Sequence, residues 1–138
     1  MISTVAVGTD GSETAEEAVR QAAEIARRYG AKLMLLSAFP EQGFATYAGI
    51  DLEWASGSQT HVRTILERNE TALRRDGIEC ETRSAEGDPA DVLVRLAQEC
   101  RADLLVIGNK GIKRRVLGSV PNTVTHQAGC SVMVVKTT

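Results

Sequence analysis

Short apolar runs alternate along this chain with segments whose apolar residues recur every three or four positions, and this alternation restricts the fold more than any other feature. Val5 to Gly8, Lys32 to Ala38 (KLMLLSA), Asp103 to Gly108 (DLLVIG) and Ser131 to Lys136 (SVMVVK) have the length of strands. KLMLLSA is too continuously apolar for a half-exposed strand and reads as one covered on both faces. Glu79 to Ala85 alternates weakly, as an edge strand does. With the helical segments between them the order is βαβαβαβαβ. Because parallel crossovers return with right-handed sense, that order predicts an α/β fold: a five-stranded parallel sheet with helices on both faces, Rossmann-like, in a single domain over residues 1–138. Ligands of such sheets bind beyond the carboxyl ends of the strands where the winding reverses. The loops after the first and fourth strands are therefore the candidate site.

Local signals place the helices. Ala15, Ala18, Val19, Ala22, Ile25, Ala26 and Tyr29 form the stripe of the first. Ser12 or Thr14 can cap it, Thr14 with Glu17 has capping-box spacing, and Gly30 can close it in the left-handed conformation. Val62, Ile65, Leu66, Asn69, Ala72 and Leu73 mark the second helix, which Asp76-Gly77 stops. Asp88-Pro89 puts a capping side chain before a proline at the first helical position, and Val92, Leu93, Leu96, Ala97 and Cys100 supply the third stripe. Ser119-Val120-Pro121 opens a short helix running to about Gln127. The stretch from Phe39 to Ser58 holds Phe39, Phe44, Tyr47 and Trp54 among Gly, Ser, Gln and Thr without a sustained period, and reads as a long loop: a lid, a binding loop or a disordered segment.

Composition excludes several function classes. With 138 residues, 43% hydrophobic and 25% charged, the chain has the balance of a folded globular domain. A formal net charge of -2 gives no global field toward nucleic acid or an acidic membrane. Cys80, Cys100 and Cys130 lack a C-x-x-C pair, so neither a disulfide framework nor a zinc site is implied, and a reducing cytosol fits. No cationic segment leads into a long apolar run at MISTVAVGTDGS, and no run approaches the roughly 18 residues of a membrane span. The expectation is a cytoplasmic protein with no membrane and no nucleic-acid partner.

Residues 108–119 read GNKGIKRRVLGS, three glycines and four cations with a closing serine behind a buried strand. Converging backbone N–H groups hold phosphate well, and glycine lets the backbone approach closely. Gly108 and Gly111 suit the first part of such a cradle, with Gly118 and Ser119 at the mouth of the last helix. The alternatives are a solvated loop that the glycines merely turn, and a nucleic-acid patch, which three cations without interleaved aromatics support poorly. No G-x-x-x-x-G-K-[ST] is present and no G-x-G-x-x-G follows the first strand, which disfavours a P-loop NTPase and a dinucleotide site.

VAVGTDGSETAEEAV, the run ADLLVIG, and GNKG with LGSVPNTV ahead of CSVMVVK together resemble the universal stress protein family across the whole chain. The resemblance implies an adenine nucleotide alpha hydrolase-like fold and, for the nucleotide-binding branch, ATP or AMP as ligand, cyclic AMP in some members, with any Mg2+ carried on the nucleotide. It places Asp10 near the adenosine with Gly8 and Thr9 beside it, and Ala38 against the adenine through its main chain. It places Gly108, Gly111, Gly118 and Ser119 on ribose and phosphates, assisted by Ile107, Lys110 and Val120. One feature departs from the pattern: Ile112 to Leu117 alone separate Gly111 from Gly118, three residues fewer than the family's usual nine.

Asp10 also fits a residue that satisfies backbone donors at a strand-to-helix turn. His61 and His126 stand singly and read as surface residues; Trp54, Tyr47 and Phe44 read as base-stacking, partner-facing or disordered. No Ser/His/Asp or Cys/His arrangement falls at the strand ends, so the chain is expected not to be an enzyme beyond slow ATP hydrolysis. A phosphoacceptor receiver is rejected because Ser84-Ala85-Glu86 stands where that fold needs an aspartate and no helix follows the fifth strand. Two functions are left: a ligand-responsive nucleotide-binding stress or signalling protein, and a non-nucleotide-binding interaction module of the same fold. By resemblance either is a homodimer through Ser131 to Lys136, with an unknown downstream protein partner.

Overall fold

A computed structural model of the chain describes residues 1–40, 52–109 and 118–136, with 52–58 described by backbone alone. In chain order these form β1 (Thr4–Gly8), α1 (Glu13–Tyr29), β2 (Lys32–Phe39), α2 (Leu52–Arg75), β3 (Cys80–Glu86), α3 (Pro89–Glu99), β4 (Leu104–Asn109), α4 (Ser119–Gln127) and β5 (Ser131–Lys136). The strands make one five-stranded sheet in the order β3-β2-β1-β4-β5, and every pairing is parallel. The winding reverses between β1 and β4. Val5 to Val7 pair with Leu104 to Val106, so both strands deliver their carboxyl ends to the same side.

The period of two within the strands sorts the core into two layers. Val5, Val7, Leu33, Leu35 and Val106 pack under α1 and α2, whereas Ala6, Met34, Leu36, Leu105 and Ile107 pack under α3 and α4. Leu33 to Leu36 are all buried, which explains the continuous apolar run. Each such side chain contributes about 1.5 to 3 kcal/mol of transfer free energy. The buried stripe of α1 is Ala15, Ala18, Val19, Ala22, Ala23 and Ala26, small side chains that let this helix lie close to the sheet. Tyr29, read above as the end of that stripe, is 52% exposed. β3 is an edge strand, as its weak alternation predicts, and β5 is the other edge.

Capping follows the local code. Ser12, not Thr14, is the N-cap of α1: its Oγ accepts the Ala15 N–H at 3.2 Å. Gly30 ends the helix at φ 65°, and its N–H reaches back to the Ala26 and Arg27 carbonyls. Asp88 caps α3 by accepting the Asp91 N–H at 3.3 Å, with Pro89 behind it. Contrary to the long loop expected from Phe39 to Ser58, the chain is helical from Leu52, ten residues before the first periodic apolar residue, Val62. A helix already nucleated on its buried face adds further turns at little cost, with no apolar stripe required to mark them. Phe44 and Tyr47, and the side chain of Trp54, lie outside the described residues. Among the described residues no helix is long and apolar enough to cross a membrane.

The foot of the sheet is tied by Asp103. Its Oδ2 accepts the N–H groups of Ser3 at 2.8 Å and Thr4 at 3.0 Å, while its own N–H donates to the Thr4 carbonyl at 2.9 Å. These two backbone bonds hold the exposed carboxyl below the usual carboxylate range. Its contribution is therefore complete above the unfolded value of about 3.9 and is lost as pH falls through the lower folded value. Asp103→Asn is expected to lower the melting temperature at pH 7, with the gap to the wild-type chain closing as melts are repeated below about pH 4. A gap independent of pH would show that the carboxylate charge is not what ties the foot.

Candidate functional site

At the carboxyl ends of β1, β2 and β4 lies a crevice of about 360 Å³, on the side where the winding reverses. Gly8, Thr9 and Asp10 line it from β1, Ala38 from β2, Ile107 and Gly108 from β4, and Gly118, Ser119 and Val120 from the start of α4. The structure thus gathers nine of the eleven residues predicted for a site, and the remaining two, Lys110 and Gly111, lie outside the described residues. So do Lys113, Arg114, Arg115 and the rest of the shortened loop. The apolar wall is completed by Leu93 and Pro89 of α3 and by Pro121.

Hydrogen bonds fix the β1 turn. The Thr9 N–H donates to the Leu36 carbonyl at 2.9 Å, and the buried Ser37 hydroxyl donates to the Thr9 carbonyl at 2.7 Å. Thr9 Oγ1 then accepts the Gly11 N–H at 3.2 Å, and Asp10 Oδ1 accepts the Ser12 N–H at 2.9 Å. Gly11 sits at φ 83°, the left-handed value this turn needs. Asp10 therefore does what a turn aspartate does, and its exposed carboxylate still lines the crevice. Ser37 was not picked out from the sequence. A serine inside KLMLLSA looks like a tolerated polar residue until its partner on β1 is known.

On the β4 side the glycines have different reasons. A Cβ on Gly108 would lie 2.6 Å from Thr14 Cγ2 and 2.8 Å from the Thr14 carbonyl oxygen, so what the missing side chain admits is the first turn of α1. Gly118 is the N-cap of α4 in an extended conformation, φ -63° and ψ 171°, and has no side chain to cap with. Its N–H donates to Asn109 Oδ1 at 2.9 Å. Asn109, only 4% exposed, is a second residue the sequence did not disclose, since in GNKG it reads as an ordinary turn asparagine. Within the first turn of α4 the N–H groups of Ser119 and Val120 have no intrahelical acceptor, Pro121 has no N–H, and the Asn122 N–H reaches the Gly118 carbonyl at 3.0 Å.

Among the described residues the crevice offers amide donors, hydroxyls and one carboxylate, with an apolar wall. Cys80, Cys100 and Cys130 are free thiols, and burial pushes each of them up, away from the thiolate that a nucleophile requires. His61 and His126 are exposed on α2 and α4. Among the described residues no cluster of three or more His, Cys, Asp or Glu is placed to hold a metal ion.

The description "Universal stress protein family" belongs to a family model that matches residues 1–136. The chain belongs to that family. A universal stress protein of Mycobacterium tuberculosis is 41% identical over 142 residues, which covers 98% of this chain and 97% of the relative. A solved universal stress protein in complex with cAMP superposes with a TM-score of 0.76 at 34% identity, covering 99% of this chain and 98% of that one. The universal stress protein from Archaeoglobus fulgidus in complex with dAMP gives 0.74 at 27% identity, covering 99% of this chain and all (100%) of its own. In this universal stress protein the crevice lies where the sheet's reversal places it, between the carboxyl ends of β1 and β4.

Proposed function

We propose that this universal stress protein binds an adenine nucleotide, AMP, ATP or cyclic AMP, in the crevice and acts as a ligand-responsive dimeric module. The observation that carries the reading is the convergence, at the reversal point, of Asp10, the end of β2 at Ala38 and the amide-rich start of α4. Relatives in complex with cAMP and dAMP support it. In this reading Asp10 accepts from the ribose hydroxyls, with Gly8 and Thr9 beside it. The main chain at Ala38 meets the adenine edge, and Ile107 lies beneath the nucleoside. Ser119, through its N–H and hydroxyl, and Val120, through its N–H, hold the phosphate end. A helix N-terminus alone contributes about 0.3 to 1 kcal/mol, so charge-assisted bonds from Lys110, with Gly111 beside it, belong to the proposal. Any Mg2+ would come on the phosphates of ATP.

The mechanism proposed is a population shift rather than a reaction. A nucleotide that touches β1, β2 and α4 together stabilises the one arrangement of those elements that fits it, and so changes the surface offered to a protein partner. Among the described residues Asp10 is the titratable side chain on the crevice wall, and it is engaged with the Ser12 N–H. Turnover beyond slow ATP hydrolysis is not part of the proposal.

Dimerisation is proposed through β5. It is an outer strand, with Val132, Met133 and Val134 half-buried and its outer edge unpaired among the described residues. An apolar edge of this kind is a liability until another strand or chain covers it. Sedimentation at micromolar concentration is expected to give a dimer, and Val134→Lys to shift it toward monomer.

The deciding experiment is denaturation of the purified protein with mass analysis of what it releases, followed by calorimetric titration of the emptied protein with AMP, ATP and cyclic AMP. Adenine nucleotide in the supernatant, or micromolar binding of any of the three, is expected. An empty supernatant and flat titrations would leave the interaction module that binds no nucleotide.

A further inference from the structure

We infer that Asn109 is a positioning residue for the phosphate end of the crevice, an inference that rests on the nucleotide reading above. Asn109 is the last residue of β4, in register with Lys136 of β5, and it is buried. Its Oδ1 accepts the N–H of Gly118, nine residues further on, at 2.9 Å. One side chain therefore joins the point where the backbone leaves the sheet to the point where it enters α4.

Both ends of this link are held. Behind Asn109, Gly108 lies against the first turn of α1 so closely that a Cβ would meet the Thr14 carbonyl oxygen at 2.8 Å, which fixes the tip of β4. Ahead of it, the Gly118 carbonyl accepts the Asn122 N–H at 3.0 Å, so the N-cap residue is held on its N–H side by Asn109 and on its carbonyl side by the helix. Gly118 has no side chain for capping, and glycine has more backbone freedom than any other residue. The bond from Asn109 removes that freedom where the direction of the Ser119 and Val120 N–H groups is set. It also occupies the Gly118 N–H, leaving the anion to those next two amides. Donors aimed in advance bind an anion better than donors that must be ordered on binding.

A role in aiming donors at phosphate differs from a role in general stability by what it does to two ligands. Asn109→Ala, and Asn109→Ser, whose hydroxyl is too short to span to Gly118, are titrated with AMP and with adenosine, which lacks the phosphate. Gly118 amide hydrogen exchange is measured by NMR without ligand. In both variants Gly118 exchange is expected to accelerate and AMP affinity to fall about tenfold, while adenosine affinity stays within about twofold of wild type. The Ser variant, which keeps a polar atom at the buried position, gives the result if the Ala variant does not fold. If Gly118 exchange accelerates but the AMP-to-adenosine ratio matches wild type, the positioning role is overturned and the nucleotide reading stands. If wild-type protein binds neither ligand, or binds adenosine as tightly as AMP, the nucleotide reading falls and takes this inference with it.

Discussion

Gly108→Ala is expected to destabilise the protein by about 3 kcal/mol, at the upper end of the cost of overpacking a close-packed site, and to lower the melting temperature by roughly 10 °C. The added methyl would stand 2.6 Å from Thr14 Cγ2, 2.8 Å from the Thr14 carbonyl oxygen and 3.2 Å from its carbonyl carbon. A flexible side-chain tip can move aside, but two of these atoms are backbone of a helix whose small buried residues seat it on the sheet. Either α1 lifts, opening the layer under Ala15 and Ala18, or β4 yields and loses register. Gly30→Ala is the control, because its Cβ would meet nothing and only the left-handed φ of 65° resists it, for about 1 kcal/mol. Denaturant midpoints of the two variants give the comparison. Equal, small losses would mean that the approach of α1 to β4 is looser than these distances state.

The largest expected effect on binding comes from Asp10. Asp10→Ala removes the acceptor for the Ser12 N–H and the carboxylate proposed for the ribose hydroxyls. Hydrogen bonds to a charged group contribute about 1.5 to 3 kcal/mol, so affinity for AMP is expected to drop between about tenfold and a hundredfold. Asp10→Asn separates the two roles. Its carbonyl oxygen can still accept the Ser12 N–H, so the turn and the melting temperature should be preserved while the charge-assisted bonds to ribose weaken. An Asn variant that melts like the wild type and binds AMP equally well would restrict Asp10 to the turn.

The elements of this chain were legible because each has a local cause. Periods of two and of three to four marked the strands and helices, and Gly30, Gly77, Asp88 and Pro89 punctuated them. The start of α2 was not legible, since Leu52 to Ser58 adds turns with no apolar stripe to announce them. Of the residues lining the crevice, those of the GTDGS turn and the LGSVP segment could be named in advance because these contiguous motifs carry the resemblance to the family. Ser37 and Asn109 could not. Each is a lone polar residue whose meaning depends on a partner elsewhere in the chain, Thr9 for one and Gly118 for the other. Gly108, expected as a glycine for a ligand to approach, does line the crevice, and its missing side chain also admits the protein's own α1, which the sequence did not signal.

By itself the order of residues determined which segments are strands and helices, except at the start of α2, and that the sheet is parallel, because hydrophobic period and turn chemistry act over a few residues. Only the tertiary structure decided that Ser37 meets Thr9, that α1 closes onto Gly108, and that Asn109 reaches Gly118. Those are pairings between distant parts of the chain, settled by which surfaces pack together, and a local pattern holds no record of the surface it will meet.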